Sequence, residues 1–275
     1  MITERPSDLA SFATTLISSG RIVFSRDEAA HALGISTGAV LDAAERLQRR
    51  QHILRLRNGF YVVVPPQFFA WGAPPPSWYI DDLMRHEKRP YYVGLLKAAE
   101  LHGASHQAVM AFQVVTDKRL PSIEAGRSRL TFHFRKDMAG IAAGIDTHNT
   151  DTGTMKVSGV ELTALDLLRY PDAVGGIDAI ATVLTDLAPK IDAQRLSLLG
   201  RACERSVVQR LGYLLDHLGH QRCAELLHSD LAKSPKALPW VELERSSVTS
   251  ASDQPALERN DRWHVIVHRH PEVDQ

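Results

Sequence analysis

The residues of this sequence best suited to chemistry are arginines grouped in one short stretch. Residues 36–60 hold five arginines against two acids, Asp42 and Glu45, and they hold no lysine. The planar guanidinium of arginine donates paired hydrogen bonds to phosphate oxygens or to a guanine edge, which the point charge of lysine cannot do. The five residues are Arg46, Arg49, Arg50, Arg55 and Arg57. The stretch therefore predicts contact with double-stranded DNA.

Two short helices are predicted to position these arginines. Ser25 and Glu28 have the Ser-x-x-Glu spacing of a capping box, so a helix should begin near Arg26 and run to Leu33, where Gly34 ends it. Ser36 or Thr37 then caps the next helix, whose apolar residues recur at helical spacing and should face inward. These inward residues are Val40, Ala44 and Leu47. Before this pair, residues 6–19 have the pattern of a further amphipathic helix, and residues 21–24 that of a short strand.

A β-hairpin is predicted to follow the helices. Residues 53–64 are two β-prone runs around Asn58-Gly59, a strong hairpin signal. The order of elements is that of a helix-turn-helix with a wing, in which the third helix enters the major groove and the hairpin lies on the phosphate backbone. The candidate DNA contacts are Ser36, Thr37, Gly38, Arg46, Arg49, Arg50, Arg55, Arg57 and Asn58. Because Asp42 and Glu45 on the same face would repel phosphates, a protein-interaction adaptor is the alternative.

Composition and charge are compatible with this interpretation. The chain has 275 residues, 44% hydrophobic and 23% charged, as in ordinary globular proteins, and a net charge of zero. Residues 1–140 carry an excess of five positive charges and residues 141–275 an excess of five negative charges, so DNA should meet the first half. Neither a signal peptide nor an apolar run long enough to span a membrane is present, and Cys203 and Cys223 give no disulfide framework. We expect a cytoplasmic protein without membrane contact.

Prolines mark the expected domain border. The uncharged stretch 64–76 contains Pro65, Pro66 and the run 74–76, which predicts a DNA-binding domain over residues 1–75 and a larger mixed domain over 76–275. The aromatic residues of this stretch should dock on a flanking domain. In the second domain, strands are predicted at 112–116, 129–135, 240–244 and 263–268, and helices at 78–86, 91–102, 161–169, 176–187, 193–202, 205–218 and 222–232. Residues 246–253 should form a loop or a disordered excursion. The expected fold class is α+β.

Several segments of the chain together resemble the AbiEi-type antitoxins. They are Tyr91–Ser105, Glu161–Pro171, Gln209–Leu215 and the closing Arg262–Val267, combined with the winged N-terminal unit. The resemblance implies a non-enzymatic protein with two roles: it represses its own toxin–antitoxin operon through inverted repeats, and its C-terminal part neutralises a nucleotidyltransferase-like toxin. In such type IV systems, neutralisation need not pass through a stable complex with the toxin. The resemblance implies no cofactor and no catalytic residue.

Three weaker patterns could carry other chemistry. Arg210 and His217 have a spacing found in some helical ribonucleases, which leaves an enzyme acting on RNA or protein as an alternative function. His264, His268 and His270 alternate along the last strand, but no further ligand completes a metal site, and a solvated face is the better interpretation. Gly175-Gly176 opens a helix without a phosphate-binding motif and is best explained as a turn.

Overall fold

The computed structural model describes residues 6–104, 110–233, 237–244 and 256–273. These fall into two compact units. The first comprises the described parts of residues 1–92, 110–136 and 147–156, and the second those of 93–109, 137–146 and 157–275. The domain border expected near residue 75 stays a prediction. The loop predicted at 246–253, and Ser105 of the resemblance, lie outside the described residues.

The first unit begins with the predicted helix-turn-helix elements. They are α1 (Leu9–Ser18), β1 (Val23–Ser25), α2 (Arg26–Leu33), α3 (Thr37–Arg49), β2 (Ile53–Arg57) and β3 (Phe60–Val63). The capping box at Ser25 and Glu28 is confirmed, and Gly34 ends α2 with a left-handed φ of 69°. The three strands form an antiparallel sheet in the order β1-β3-β2. The helices and this sheet share one core built on Phe12, Phe24, Val40, Ala44 and Tyr61.

A six-stranded sheet follows along the chain. Its strands are β4 (Tyr91–Val93), β5 (Ala111–Thr116), β6 (Ile123–Ala125), β7 (Ser128–Phe134), β8 (Ile145–Thr150) and β9 (Gly153–Ser158), in the order β6-β7-β5-β4-β9-β8. Two helices flank β4 along the chain, α4 (Ile80–His86) and α5 (Leu95–Leu101). The helix predicted over 91–102 is wrong in its first turn, because the buried residues Tyr91, Tyr92 and Val93 form β4.

The second unit is a helical block with a small sheet. Its helices are α6 (Val160–Arg169), α7 (Ile177–Leu187), α8 (Ala193–Gly200), α9 (Arg205–His217) and α10 (Gln221–Ala232). Its sheet contains β10 (Val241–Glu242), β12 (Val265–Val267) and β11 (Glu258–Asn260), in that order. Trp263 is fully buried and donates from Nε1 to Asp216 of α9 (2.7 Å). The α+β fold class is confirmed.

The aromatic residues of the proline-rich stretch are docked unequally. Residues Pro66–Trp71 form a 3-10 helix. Phe68 packs edge-to-face on Trp78 (5.1 Å between ring centroids), and Phe69 stacks on His52 (5.2 Å). Trp71 remains 58% exposed. The prediction that the aromatic residues of this stretch pack on neighbouring structure is therefore correct for Phe68 and Phe69 and wrong for Trp71.

Candidate nucleic-acid interface

The backbone around Gly34 sets the direction of α3. Gly34 and Ile35 both donate their backbone N–H to the carbonyl of Ala30, which closes α2, and the chain then turns. Ser36 caps α3, because its Oγ accepts the backbone N–H of Ala39 (3.1 Å). Val40 and Ala44 have no exposed surface, and Leu47 is 8% exposed. The inward face predicted for α3 is therefore confirmed.

The opposite face of α3 is exposed along its whole length. Its first turn presents Thr37 and Gly38, both exposed, and the space beside Gly38 is open except for the hydroxyl of Ser36. The side chains that follow on this face are also exposed: Asp42, Glu45, Arg46 and Arg49, with Arg50 at the helix end. A surface of this kind can approach a nucleic-acid groove without a change in the fold.

The charges on this face are only partly neutralised. Arg49 Nη2 pairs with Glu45 Oε1 at 2.6 Å, one helical turn away. In the part of the chain that the structure describes, no ion pair engages Asp42, Arg46 or Arg50. Arg46 and Arg50 therefore remain available as cations, whereas Arg49 must leave or share Glu45 to contact an anion.

The two arginines of the wing, which we define as β2, β3 and the Asn58-Gly59 turn, have different surroundings. Arg55 is exposed and donates to Asn58 Oδ1 at 3.0 Å. Arg57 is only 17% exposed. Its Nε pairs with Glu87 (3.2 Å), its Nη2 donates to the carbonyl of Pro121 (2.6 Å), and its guanidinium lies over the ring of Phe132 (5.5 Å).

The tip of the wing is also held from a second side. The carbonyl oxygen of Asn58 accepts a hydrogen bond from His86 Nε2 (3.0 Å), and the same imidazole packs on Phe60 (5.2 Å). Gly59 has a φ of 72°, which a glycine adopts readily, and Asn58 does not share this left-handed conformation. The wing is therefore fixed within the first unit by the side chains of His86, Glu87 and Phe132 and by the backbone carbonyl of Pro121.

Sequence reasoning missed three exposed basic residues of the first unit. Lys118 and Arg119 precede β6, and Arg127 lies in the β6–β7 turn; all three are exposed, and no ion pair joins them to another described residue. We call these three residues the basic edge. The guanidinium of Arg119 lies over Phe134 (5.4 Å) just as that of Arg57 lies over Phe132, two residues earlier on the same face of β7. Only the positive net charge of residues 76–140 hinted at this edge in the sequence.

The Arg210 and His217 pair does not form an open catalytic site. Arg210 is 6% exposed, and its Nε donates to the carbonyl of Glu242 (2.7 Å). The ring of His217 stacks between Tyr213 (6.0 Å) and His270 (5.4 Å). Burial, together with the nearby Glu258, raises the pKa of Tyr213 to about 12, so this phenol stays protonated at neutral pH. Arg210 and His217 therefore make contacts that stabilise the fold, and these contacts explain their positions without a catalytic role.

The remaining candidates are likewise engaged in local contacts. His264 Nδ1 bonds to the carbonyl of Leu238 (2.8 Å), and His268 Nε2 bonds to Glu242 (2.7 Å). Within the described ranges, no three His, Cys, Asp or Glu side chains are grouped as metal ligands would be. Gly176 lines a cavity of about 200 Å³ together with Asp172, Glu244 and Arg210, so the charged groups around it are of both signs.

The comparison with known protein families agrees with the resemblance. Residues 92–217 match the family of the AbiEi antitoxin C-terminal domain. Among solved structures, the fold is similar to the crystal structure of the RV2827C protein from Mycobacterium tuberculosis, with a TM-score of 0.66, 16% sequence identity, and coverage of 97% of this chain and 95% of that chain. No curated protein matches the sequence. Among the described residues, no helix is long and apolar enough to cross a lipid bilayer.

Proposed function

We propose that this chain is an AbiEi-type antitoxin that represses its own operon by binding the promoter with α3 and the wing; the match of residues 92–217 to the antitoxin domain supports the antitoxin part of the proposal. The observation that carries the proposal is the exposed face of α3, where Arg46 and Arg50 are cations without a partner among the described residues. Placed in a major groove, Arg46 reaches base edges and Arg50 the flanking phosphates. The winged helix-turn-helix is thus the DNA-binding element, and operator DNA is an inverted repeat of its half-site.

We propose that the exposed cations of the wing and of the basic edge add contacts to the phosphate backbone. Arg55 is the exposed arginine of the wing, and the basic edge adds three exposed cations within the same unit. Each cation that neutralises a phosphate releases a condensed counterion, so their contribution is measured as a salt dependence of binding. We assign Arg57 a positioning role, because its guanidinium is already engaged by Glu87 and Pro121.

The C-terminal part of the chain carries the antitoxin role. Residues 92–217 match the antitoxin domain, and we propose that the toxin they neutralise is nucleotidyltransferase-like. As in type IV systems, neutralisation does not require a stable complex with that toxin. Binding to its own promoter would place the chain in the cytoplasm. Since Arg210 and His217 are held by structural contacts, we propose a non-enzymatic mechanism.

Promoter binding is tested by gel-shift titration of the full-length chain against its own promoter at several salt concentrations. Arg46→Ala should weaken binding by about 1–3 kcal/mol and relax the preference at one base pair, whereas Arg50→Ala should weaken binding to all duplexes and reduce the salt slope by about 1. Arg222→Ala is the matched control, since Arg222 is an exposed arginine on α10 in the second unit. Equal affinity of wild type and Arg46→Ala would contradict the proposal, as would binding that is independent of both Arg46 and Arg50.

Neutralisation is tested separately by coexpression with the nucleotidyltransferase-like toxin that the proposal assigns to the same operon. The double variant Arg46→Ala/Arg50→Ala should derepress a promoter reporter and still protect cells from the toxin. His217→Ala should also protect, because this exposed side chain makes ring contacts and has no catalytic role in the proposal. Loss of protection in His217→Ala, with normal folding, would favour an enzymatic mechanism instead.

A further inference from the structure

Asp42 has a central position on the exposed face of α3. It lies one turn after Gly38 and one turn before Arg46, and its side chain is exposed. Positions 38, 42, 45, 46 and 49 all point away from the buried residues Val40 and Ala44. Any surface that the middle of α3 contacts is therefore contacted by Asp42.

A carboxylate at this position needs a specific partner. Glu45, the other acid of this face, is neutralised by Arg49 at 2.6 Å. Asp42 forms no ion pair within the described residues, although Arg46 is four positions away. Against phosphates an unpaired carboxylate is repelled, and at a dry interface it loses its hydration unless it accepts hydrogen bonds.

The major groove offers such donors on the bases. The exocyclic N4 amino group of cytosine is a donor, and aspartate or glutamate is the side chain suited to accept from it. Adenine also presents an amino group, but its N7 acceptor lies beside it and repels a carboxylate. Asp42 is therefore complementary to a C·G pair and opposed to the other pairs.

We propose that Asp42 is a specificity-determining residue that accepts a hydrogen bond from the N4 amino group of a cytosine in the operator half-site. The inference rests on the proposed DNA-binding function and names the base pair that the middle of α3 recognises. Gly38 contributes by having no side chain, since the open space beside it allows the first turn of α3 to come close to the groove. Arg46 recognises a guanine at a separate position one turn further along the helix.

The test is selection of bound duplexes from a randomised pool by the full-length chain, followed by gel-shift titration of single base-pair variants of the selected site. The wild type should select C·G at one position, and each other pair there should bind about tenfold more weakly. Asp42→Asn should change the preference at this position to A·T, because a carboxamide pairs with the N6 and N7 atoms of adenine. Asp42→Ala should accept all four pairs there.

A matched control separates base recognition from a general charge effect. Asp261→Asn removes the same charge from an exposed site in the second unit and should leave the selected sequence unchanged. If Asp42→Asn binds all duplexes more tightly with an unchanged preference, Asp42 acts only through repulsion and the inference is wrong. The inference is also wrong if Asp42→Ala keeps the C·G preference and loses only the preference for guanine that Arg46→Ala also loses. Asp42 would then act by orienting the Arg46 side chain and not by contacting a base. Failure of the wild type to bind any duplex would overturn the proposed function itself.

Discussion

Replacing Arg57 by alanine should destabilise the first unit and weaken DNA binding without changing the salt dependence of that binding. Arg57 joins the wing to three residues that lie far from it in the sequence: Glu87, Pro121 and Phe132. Its side chain and that of Glu87 are 17% and 18% exposed, so solvent screens the pair only weakly. The substitution removes these contacts and leaves the Glu87 carboxylate without its cation.

The size of the effect follows from these contacts. A hydrogen bond to a charged donor contributes about 1.5–3 kcal/mol, and a cation over an aromatic ring about 0.5–2 kcal/mol. Ordering the arginine side chain costs up to about 2 kcal/mol, which offsets part of this gain. Because the ion pair with Glu87 adds to the stabilising side, the free energy of unfolding should fall by about 2 kcal/mol. The wing then loses its fixed position, and affinity for the promoter should drop severalfold.

Urea denaturation and gel-shift titration over a range of salt concentrations measure the two effects on the same proteins. Arg55→Ala is the matched control, since this neighbouring wing arginine is exposed and bonds only to Asn58 among the described residues. It should keep wild-type stability and reduce the salt slope by about 1. Arg57→Lys keeps the charge but not the fork geometry and should remain destabilised. A stable Arg57→Ala variant with a salt slope reduced by about 1 would refute this reasoning and return Arg57 to the phosphate contacts.

Three further predictions concern other parts of the molecule. Gly212→Ala should destabilise the chain by about 1–3 kcal/mol in urea denaturation, because an added β-carbon would overlap the buried Trp263 ring. This loss should exceed the gain in helix propensity that alanine brings. The control is Gly38→Ala, which lies in open space on α3 and should not destabilise the chain. Asp230→Asn should flatten the acid side of the stability curve. Burial alone raises the pKa of Asp230, but bonds from Lys233, Ser197 and Arg201 lower it well below 3.8, so its stabilisation is present above about pH 4 and lost as the pH falls; an unchanged pH dependence of unfolding would count against this. Glu45→Gln should release Arg49 and steepen the salt dependence of promoter binding, and a slope equal to that of the wild type would show that Arg49 was already free to contact DNA.

Local signals predicted the N-terminal elements closely. The capping box at Ser25, the left-handed Gly34 and the cap at Ser36 each form within a few residues of chain, so their hydrogen bonds depend on neighbouring residues alone. The apolar spacing of α3 fixes its buried face for the same reason. The inward and outward sides of the candidate interface were therefore predictable.

Tertiary context decided the elements that sequence reasoning missed. Tyr91–Val93 has no period that separates a strand from a helix turn, and it becomes β4 within the six-stranded sheet. On β7, Leu130, Phe132 and Phe134 alternate with polar residues, which is the pattern of a half-buried strand. Leu130 is fully buried, but Phe134 remains 38% exposed, and its partner is the guanidinium of Arg119. Apolar alternation marks one face of a strand but does not identify what covers that face.

The different surroundings of Arg55 and Arg57 come from a single irregularity in the wing. Two residues apart on a regular strand, their side chains would share a face and both would be candidates for phosphate contact. The pairing shifts between them, since Arg55 lies opposite Tyr61 and Arg57 opposite Phe60, which leaves Leu56 as an extra residue. A bulge of this kind redirects the side chain that follows it. Arg57 can therefore reach Glu87 and Pro121 while Arg55 stays in solvent. The Asn-Gly signal does not predict this bulge. The bulge separates Arg57, which positions the wing, from Arg55, which we propose contacts DNA.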